Sequence, residues 1–314
     1  MPVSVVMVVY NGEKFLGEAV ESVLAQTFRD FEFVVVDDGS TDRTPSILRE
    51  YSRNDPRMRL VEAPHEGIAA ARNLALVEAR YELIAVIDAD DRMLPDRLER
   101  QLWFLDQNPG VSVCCSFAYL IDVRGKRIAT SSHPVDVDAG IRELNPSLFM
   151  EIVHSSVMAA KADILAVGGY RGMPAPLEDR DLWGRLVAAG FQIRCQHERL
   201  VEYRLHGSAL SASGWSRECE WIDLNVVRRL RGDPEIPLEH FSQSQEGRSL
   251  ARRLRSSIVH AALNHYKRAT RHYAERRWLE CAAALLAATL VRPKWTLSRA
   301  LSGVIARKNG SLPR

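Results

Sequence analysis

Long apolar runs, paired cysteines, internal repeats and a strong net charge are all missing from this 314-residue chain, and each absence removes a class of protein. A membrane-spanning helix needs about 20 apolar residues. The best candidate, Trp278–Val291, is shorter and carries Glu280, so it reads as a packed or interfacial helix. The five cysteines, Cys114, Cys115, Cys195, Cys219 and Cys281, form an odd set without Cys-x-x-Cys spacing. That argues against a zinc site or a disulfide framework and is expected of a reducing cytoplasm. A formal net charge of +2 gives no whole-molecule footprint for nucleic acid. Met1-Pro2-Val3-Ser4 runs straight into a strand-like segment without a basic leader, so no secretory signal is expected. What remains has room for one large α/β domain plus an appendage, or for two modest domains.

Two apolar segments, by contrast, end abruptly in acids. Val34-Val35-Val36 runs into Asp37-Asp38-Gly39-Ser40, and Leu83 to Ile87 runs into Asp88-Ala89-Asp90-Asp91. Each is long enough for a fully buried strand. In an open parallel sheet, ligands bind beyond the carboxyl ends of the strands, so both acidic clusters would share one functional edge. Clustered carboxylates repel one another and ask for a cation or a hydrogen-bonding ligand. Magnesium or manganese is typically held by one or two carboxylates and completes its shell with phosphate oxygens and water. The Asp-x-Asp of Asp88 and Asp90 suits that role; the plainer alternative is a solvated acidic turn.

Periodicity places these clusters in a repeating pattern. Val3 to Val9 reads as a strand closed by Tyr10-Asn11-Gly12, and Leu16, Val20, Val23 and Leu24 form the stripe of a helix on a sheet. Phe31 to Val36 is a second strand, followed by a helix that Ser40-Thr41-Asp42 can cap and Asn54-Asp55-Pro56 breaks. Met58 to Glu62, a helix over Ile68 to Ala79, and Leu83 to Ile87 complete the series. Four βα units in about 90 residues imply a parallel, doubly wound sheet. A helix from Pro95 to Leu105 and a strand from Val111 to Tyr119 follow, then a variable loop or hairpin region from Arg124 to Pro146. Regular structure resumes near Ser155 to Ala159, and the run Glu178-Asp179-Arg180-Asp181 opens a helix carrying Leu182, Leu186 and Val187 that Gly190 stops. Past Gly232 the composition changes: from Arg248 to Arg277 there are nine Arg or Lys against Glu275 alone, with Leu250, Leu254, Ile258 and Ala261 at helical intervals.

Taken together these residues resemble the family 2 glycosyltransferases with the GT-A fold, inverting enzymes that use nucleotide-activated sugars. The resemblance rests on Tyr10-Asn11, Ser22-Val23-Leu24-Ala25-Gln26-Thr27-Phe28, Asp37-Asp38-Gly39-Ser40-Thr41-Asp42, Ala71-Arg72-Asn73, Asp88-Ala89-Asp90-Asp91, Glu178-Asp179 and Tyr203-Arg204-Leu205-His206. It covers roughly the first 210 residues in the family's order, and the motifs are specific jointly rather than singly. It implies a Rossmann-like, mostly parallel sheet flanked by helices. Residues 1–232 would form the GT-A domain, with a nucleotide-binding half to about 110 and an acceptor half beyond it, and 233–314 a basic, amphipathic helical appendage.

The resemblance also assigns roles. Tyr10 lines the nucleotide base with Asn11 beside it, Asp38 hydrogen-bonds the base and Asp37 shapes the pocket, although turn-stabilising aspartates before Gly39 are the plainer alternative. Arg72 contacts the nucleotide, Asp88 the ribose, Asp90 the divalent metal together with Asp88, and Asp91 approaches the donor sugar. His206, in a loop with Ser208 and Ser211, is placed near the metal and diphosphate. Glu178-Asp179 is where acceptor activation is expected, with Asp179 as general base and Asp181 as its rival; capping of the following helix is a compatible alternative. Mn2+ or Mg2+ is the implied cofactor, a nucleotide sugar with uridine as the expected base the donor, and a glycan or lipid-linked molecule the acceptor in bacterial cell-surface assembly.

One departure bears on product length. Processive members carry Gln-x-x-Arg-Trp, whereas Gln196 and Arg199 are followed here by Leu200, which favours transfer of single sugars. The basic C-terminal face can lie on anionic lipid or simply be solvated. A nucleotide-sugar pyrophosphorylase would need a glycine-rich N-terminal phosphate cradle, and Val9-Tyr10-Asn11-Gly12-Glu13 lacks one. A non-catalytic sugar-nucleotide or glycan-binding module is the other alternative. Nucleic-acid binding by the appendage is not expected, since Tyr266, Tyr273 and Trp278 read as helix-packing residues.

Overall fold

The computed structural model describes residues 1–131, 137–145, 152–173, 177–207, 209, 217–246, 265 and 268–291. Part of the Arg124 to Pro146 region, Ser208, Ser211 and most of the basic stretch, including Leu250, Leu254, Ile258, Ala261 and Tyr266, lie outside them.

The first ninety residues follow the pattern read above. Strands β1 (Val3–Val9), β2 (Phe31–Asp38), β3 (Met58–Ala63) and β4 (Leu83–Val86) alternate with helices α1 (Leu16–Leu24), α2 (Thr44–Asn54) and α3 (Ile68–Glu78). They lie in the order β3-β2-β1-β4, all parallel. Every residue of β2 is buried, as a parallel strand covered on both faces requires. The core is built where the stripes meet: Val5, Met7 and Val9 of β1, Leu16, Ala19, Val20 and Val23 of α1, Phe33 and Val35 of β2, and Leu48 of α2. Asp42 takes the Thr44 N–H at 2.9 Å at the mouth of α2.

Beyond β4 the sheet turns antiparallel, so that it is mixed as a whole. Strand β5 (Arg92–Met93), helix α4 (Arg97–Gln107), β6 (Val111–Ile121), β7 (Arg127–Ser131), helix α5 (Val137–Arg142), a 3₁₀ turn at His154–Ser156 and β8 (Met158–Ala160) follow. Helices α6 (Lys161–Ala166) and α7 (Glu178–Ala188), β9 (Gln192–Arg204), α8 (Arg217–Leu230), α9 (Leu238–Glu246) and the helix Trp278–Val291 complete the described elements. β8 pairs antiparallel with both β4 and β6, and β5 pairs antiparallel with β9. Antiparallel β8 therefore begins on the edge where β4 ends, and this brings distant residues to the acidic turn.

The chain divides into two compact units. The first comprises Met1–Leu120, Thr130–Tyr203 and Ile222–Glu235, and contains the parallel strands. The second takes Ile121–Ala129, Arg204–Trp221 and Ile236–Arg314. Its small apolar cluster joins Ala269, Cys281 and Ala284 with Tyr273 and Leu285 packed against them. Tyr273 meets Trp278 edge to face at 5.3 Å, while Leu279, Leu286 and Leu290 face outward. No described helix is long and apolar enough to cross a membrane. All five cysteines are free thiols.

Candidate active site

The strand order reverses around β1: the chain steps outward through β2 and β3, then returns to β1's other side as β4. Such a switch point opens a crevice at the carboxyl ends of the strands. β4 stops at Val86 and the backbone turns, with the Asp91 N–H donating to Asp88 O at 3.2 Å. Buried Arg97 secures this corner, donating to the carbonyls of Val86 (2.9 Å), Ser155 (2.6 Å) and Val157 (2.9 Å). Ser155 is thus fixed beside the acids. Its Oγ lies 2.8 Å from Asp88 Oδ2 and also reaches Asp91 Oδ2. A hydroxyl has one proton, so it serves one of these carboxylates at a time.

Arg72, on α3, gathers acids from two parts of the chain. Its Nη2 is 3.2 Å from Asp88 Oδ1, its Nη1 hydrogen-bonds Glu178 Oε1, and its guanidinium lies over the Tyr170 ring at 5.5 Å. Neighbouring Asn73 clamps the Tyr170 backbone: Nδ2 donates to Tyr170 O at 2.7 Å, and the Tyr170 N–H donates to Oδ1 at 2.8 Å. A Cβ on Gly169, at φ +65°, would come within 2.5 Å of Asn73 Oδ1, so only glycine fits there. Arg72, Asp88 and Tyr170 line a small cleft with Val6, Val8 and Ile87.

Burial and charge oppose each other within this network. Burial alone would raise the Asp88 carboxyl, but His154, Arg72 and Ser155 together hold it below the usual carboxylate range. Burial would likewise lower Arg72, and Asp88 and Glu178 hold it above its ordinary value. Glu178 goes the other way: burial pushes it up, against the pull of Arg72. A carboxyl raised on folding contributes stability below its unfolded value, near 4.5, and loses it as the pH rises through the folded value. Glu178→Gln is therefore expected to gain stability relative to the parent as pH climbs from 4.5 toward neutrality, measured by thermal melts across that range. The opposite slope would mean that the Arg72 ion pair outweighs burial.

Three acids open α7, where the helix dipole favours negative charge. Glu178 is 3% exposed and Asp181 2%. Asp181 is enclosed by Arg185 Nε at 2.7 Å and Arg229 Nη2 at 3.0 Å. Arg180 turns away to Asp223 at 2.6 Å. Asp179 is the more exposed acid, half-buried, with Oδ1 accepting the Arg180 N–H at 2.6 Å. The two candidate bases thus occupy different environments, one paired on both sides and one open.

The loops after β1, β2 and β3 form a second cluster. Tyr10 is 47% exposed, and His65 stacks on it at 4.0 Å between centroids. Asp38, expected to reach a base, has its carboxylate turned to the β3–α3 loop. It accepts the N–H groups of Glu66 (2.9 Å) and Gly67 (3.1 Å), and His65 Nδ1 stands 2.9 Å from Oδ2. Asp37 accepts the Ser40 N–H at 3.1 Å and is buried. Asp37 thus bonds within the turn at Gly39, while Asp38 bonds across to the loop after β3. Gly39, at φ +72°, lets the His65 backbone approach, since a Cβ there would lie 2.8 Å from His65 N. Asn11 laces the first two loops, taking the Thr41 N–H at 2.8 Å and donating its own N–H to Ser40 Oγ at 2.8 Å.

Among the described residues no three His, Cys, Asp or Glu groups form a metal cage. Asp88 and Asp90 still fit a hard cation that shares its shell with phosphate and water, because such ions take only one or two carboxylates. The Asp88 side chain is 32% exposed and held ionised, and Asp90 is half-buried. Asp91, placed near the donor sugar in the sequence reading, is turned inward at 1% exposure. His206 belongs to the second unit, where it is buried.

The sequence profile described as Glycosyl transferase family 2 matches residues 4–164, just over half of the 314 residues. The chain belongs to this family. Among similar proteins, an uncharacterized glycosyltransferase of Methanocaldococcus jannaschii is 35% identical over 208 residues, spanning 65% of this chain and 70% of its own. The O-antigen biosynthesis glycosyltransferase WbnJ of Escherichia coli is 29% identical over 235 residues, 73% of this chain and 90% of its own. In fold, the glycosyltransferase-family chain matches S. aureus TarS 1-349 in complex with UDP-GlcNAc at a TM-score of 0.60, with 18% identity over 92% of this chain and 91% of the other. The mannosyltransferase PcManGT of Pyrobaculum calidifontis, in complex with GDP-Man and Mn2+, matches at 0.52 with 20% identity over 96% of this chain and 80% of that one. Residues that sequence reasoning missed are Ser155, His154, Tyr170 and His65. Only the antiparallel return of β8 and the loop contacts bring them in.

Proposed function

We propose that this family 2 glycosyltransferase is an inverting, single-sugar transferase that moves a sugar from a UDP-linked donor to a hydroxyl of a glycan or lipid-linked acceptor in cell-surface polysaccharide or glycolipid assembly. The observation that carries this reading is the convergence of Arg72, Asp88 and Glu178 in one ionic network at the sheet's switch point, with Asp179 half-exposed at the start of α7. Support for the donor class comes from TarS, whose structure holds UDP-GlcNAc, and support for polysaccharide assembly from WbnJ, named for O-antigen biosynthesis.

Each side chain has a task that its chemistry suits. Tyr10 and the stacked His65 offer an aromatic face to the nucleotide base, over loops that Asp37, Asp38 and Asn11 hold in place. Arg72 cannot lose its charge and keeps Asp88 and Glu178 ionic partners at fixed positions. Asp88 and Asp90 would hold Mn2+ or Mg2+, which when bound neutralises charge building on the departing diphosphate. Asp179 takes the acceptor's hydroxyl proton as that oxygen attacks C1 from the face opposite the leaving group. Asp181, between two guanidinium groups, anchors α7.

Thermal melts with UDP, GDP, dTDP or CMP, each with manganese, magnesium or EDTA, test the donor site. Stabilisation by UDP that requires a divalent metal is expected, since a ligand that binds only the folded state raises its melting temperature. Indifference to every nucleotide would sink the transferase reading and favour a binding module that recognises something else.

A further inference from the structure

His154 lies outside every motif of the family resemblance, yet the fold buries it against the acidic turn at 6% exposure. Its ring is held on two sides. Nε2 is 3.0 Å from the Tyr170 hydroxyl, and Trp183 packs on the ring at 6.0 Å between centroids. Nδ1 points the other way, 3.5 Å from Asp88 Oδ1, at the outer edge of hydrogen-bonding distance. Tyr170 is itself immobilised through the two Asn73 hydrogen bonds. Asn73 adjoins Arg72, whose Nη2 reaches the same Asp88 oxygen at 3.2 Å. Two relays that start from one turn of α3 thus end on one carboxylate oxygen.

The tautomer follows from the partners. An ionised carboxylate only accepts, so the ring nitrogen that faces it, Nδ1, carries the imidazole proton, and Nε2 is left to accept from the Tyr170 hydroxyl. Nδ1 makes no well-formed hydrogen bond, and a buried donor without an acceptor is costly. Asp88 Oδ1, at 3.5 Å, is the acceptor it faces.

We propose that His154 is a positioning residue for the Asp88 carboxylate, set by Tyr170 and Asn73, so that Asp88 meets the donor nucleotide in one orientation. The inference rests on the donor-site reading above, because an orienting residue needs a ligand at Asp88 to act upon. Groups that orient a ligating side chain commonly change affinity or activity about 10–100-fold when removed.

Two near-isosteric variants separate this role from simple packing. His154→Asn retains an N–H near the Nδ1 position, and His154→Gln retains a polar group near the Nε2 position. UDP is titrated calorimetrically into the full chain and both variants with manganese present, and melting temperatures are recorded alongside. His154→Gln is expected to weaken UDP binding about tenfold, while His154→Asn stays within about threefold of the parent because it restores the donor to Asp88. The reverse ranking, or parental affinity in both variants, overturns the inference. Should neither variant fold, Tyr170→Phe keeps the ring and removes the hydroxyl that holds Nε2. Weakened UDP binding in it supports the inference and unchanged binding overturns it. If the parent binds none of UDP, GDP, dTDP or CMP, the donor-site reading falls and this inference with it. Binding by the parent that the variants leave untouched overturns this inference alone.

Discussion

Asp179→Asn is expected to keep nucleotide binding and to lower sugar transfer about 10²–10⁴-fold, the usual contribution of a positioned general base. The substitution exchanges one oxygen for an amide nitrogen, preserves volume, and leaves an oxygen to accept the Arg180 N–H that Oδ1 accepts now at 2.6 Å. What it removes is basicity at the one half-exposed acid of the α7 first turn. Asp181→Asn is the informative contrast. Its carboxylate neutralises buried Arg185 and half-buried Arg229 at 2.7 and 3.0 Å, so its loss acts on stability through two cations. Nucleotide titration and product formation, run on both variants, decide the matter. Unchanged turnover in Asp179→Asn would remove it as the base, and a selective loss of turnover in a stably folded Asp181→Asn would give that role to Asp181.

The second large effect is expected from Arg72→Ala, a loss of about 3–5 kcal/mol in folding stability, as when one partner of a buried ion pair is deleted. Arg72 is 9% exposed, and its guanidinium serves Asp88 and Glu178 at once. Without it the buried Glu178 carboxyl is left with no cation, Asp88 loses an ionic partner, and the Tyr170 ring loses the charge that lies over it. Arg72→Lys is expected to recover only part of the loss, since an ammonium is a point charge and cannot present a planar fork to two acids. Denaturant titration measures both variants. A loss below about 1 kcal/mol in Arg72→Ala would mean that the acids are satisfied by water or by protonation, and that the network is not held by this cation.

The parallel half of the fold was legible because buried parallel strands read as continuous apolar runs and their helices carry a single stripe. Leu16, Ala19, Val20 and Val23 are all buried, with Leu24 packed at their edge. The antiparallel half was harder to read. β5 is two residues long and leaves no periodic trace, and β8 is three. Motif membership also hid different tasks. Gln26 is a packing residue: its amide donates to Ser22 O and Leu94 O, and its oxygen accepts the Leu98 N–H, so it docks α4. Asp38 is likewise occupied by the loop after β3.

By itself the sequence determined the βα order, the acids beyond β2 and β4, and the acidic opening of α7, because local periodicity and strand-end chemistry are written in consecutive residues. Tertiary structure alone decided which acids share a cation, which are sealed and which stay open. Arg72 meets Glu178 across 106 residues and Ser155 meets Asp88 across 67, and these pairings depend on the antiparallel placement of β8 and the packing of α7, not on any local signal. Asp179 and Asp181 stand two positions apart with the same side chain; the guanidinium groups that the fold brings to one of them make the difference.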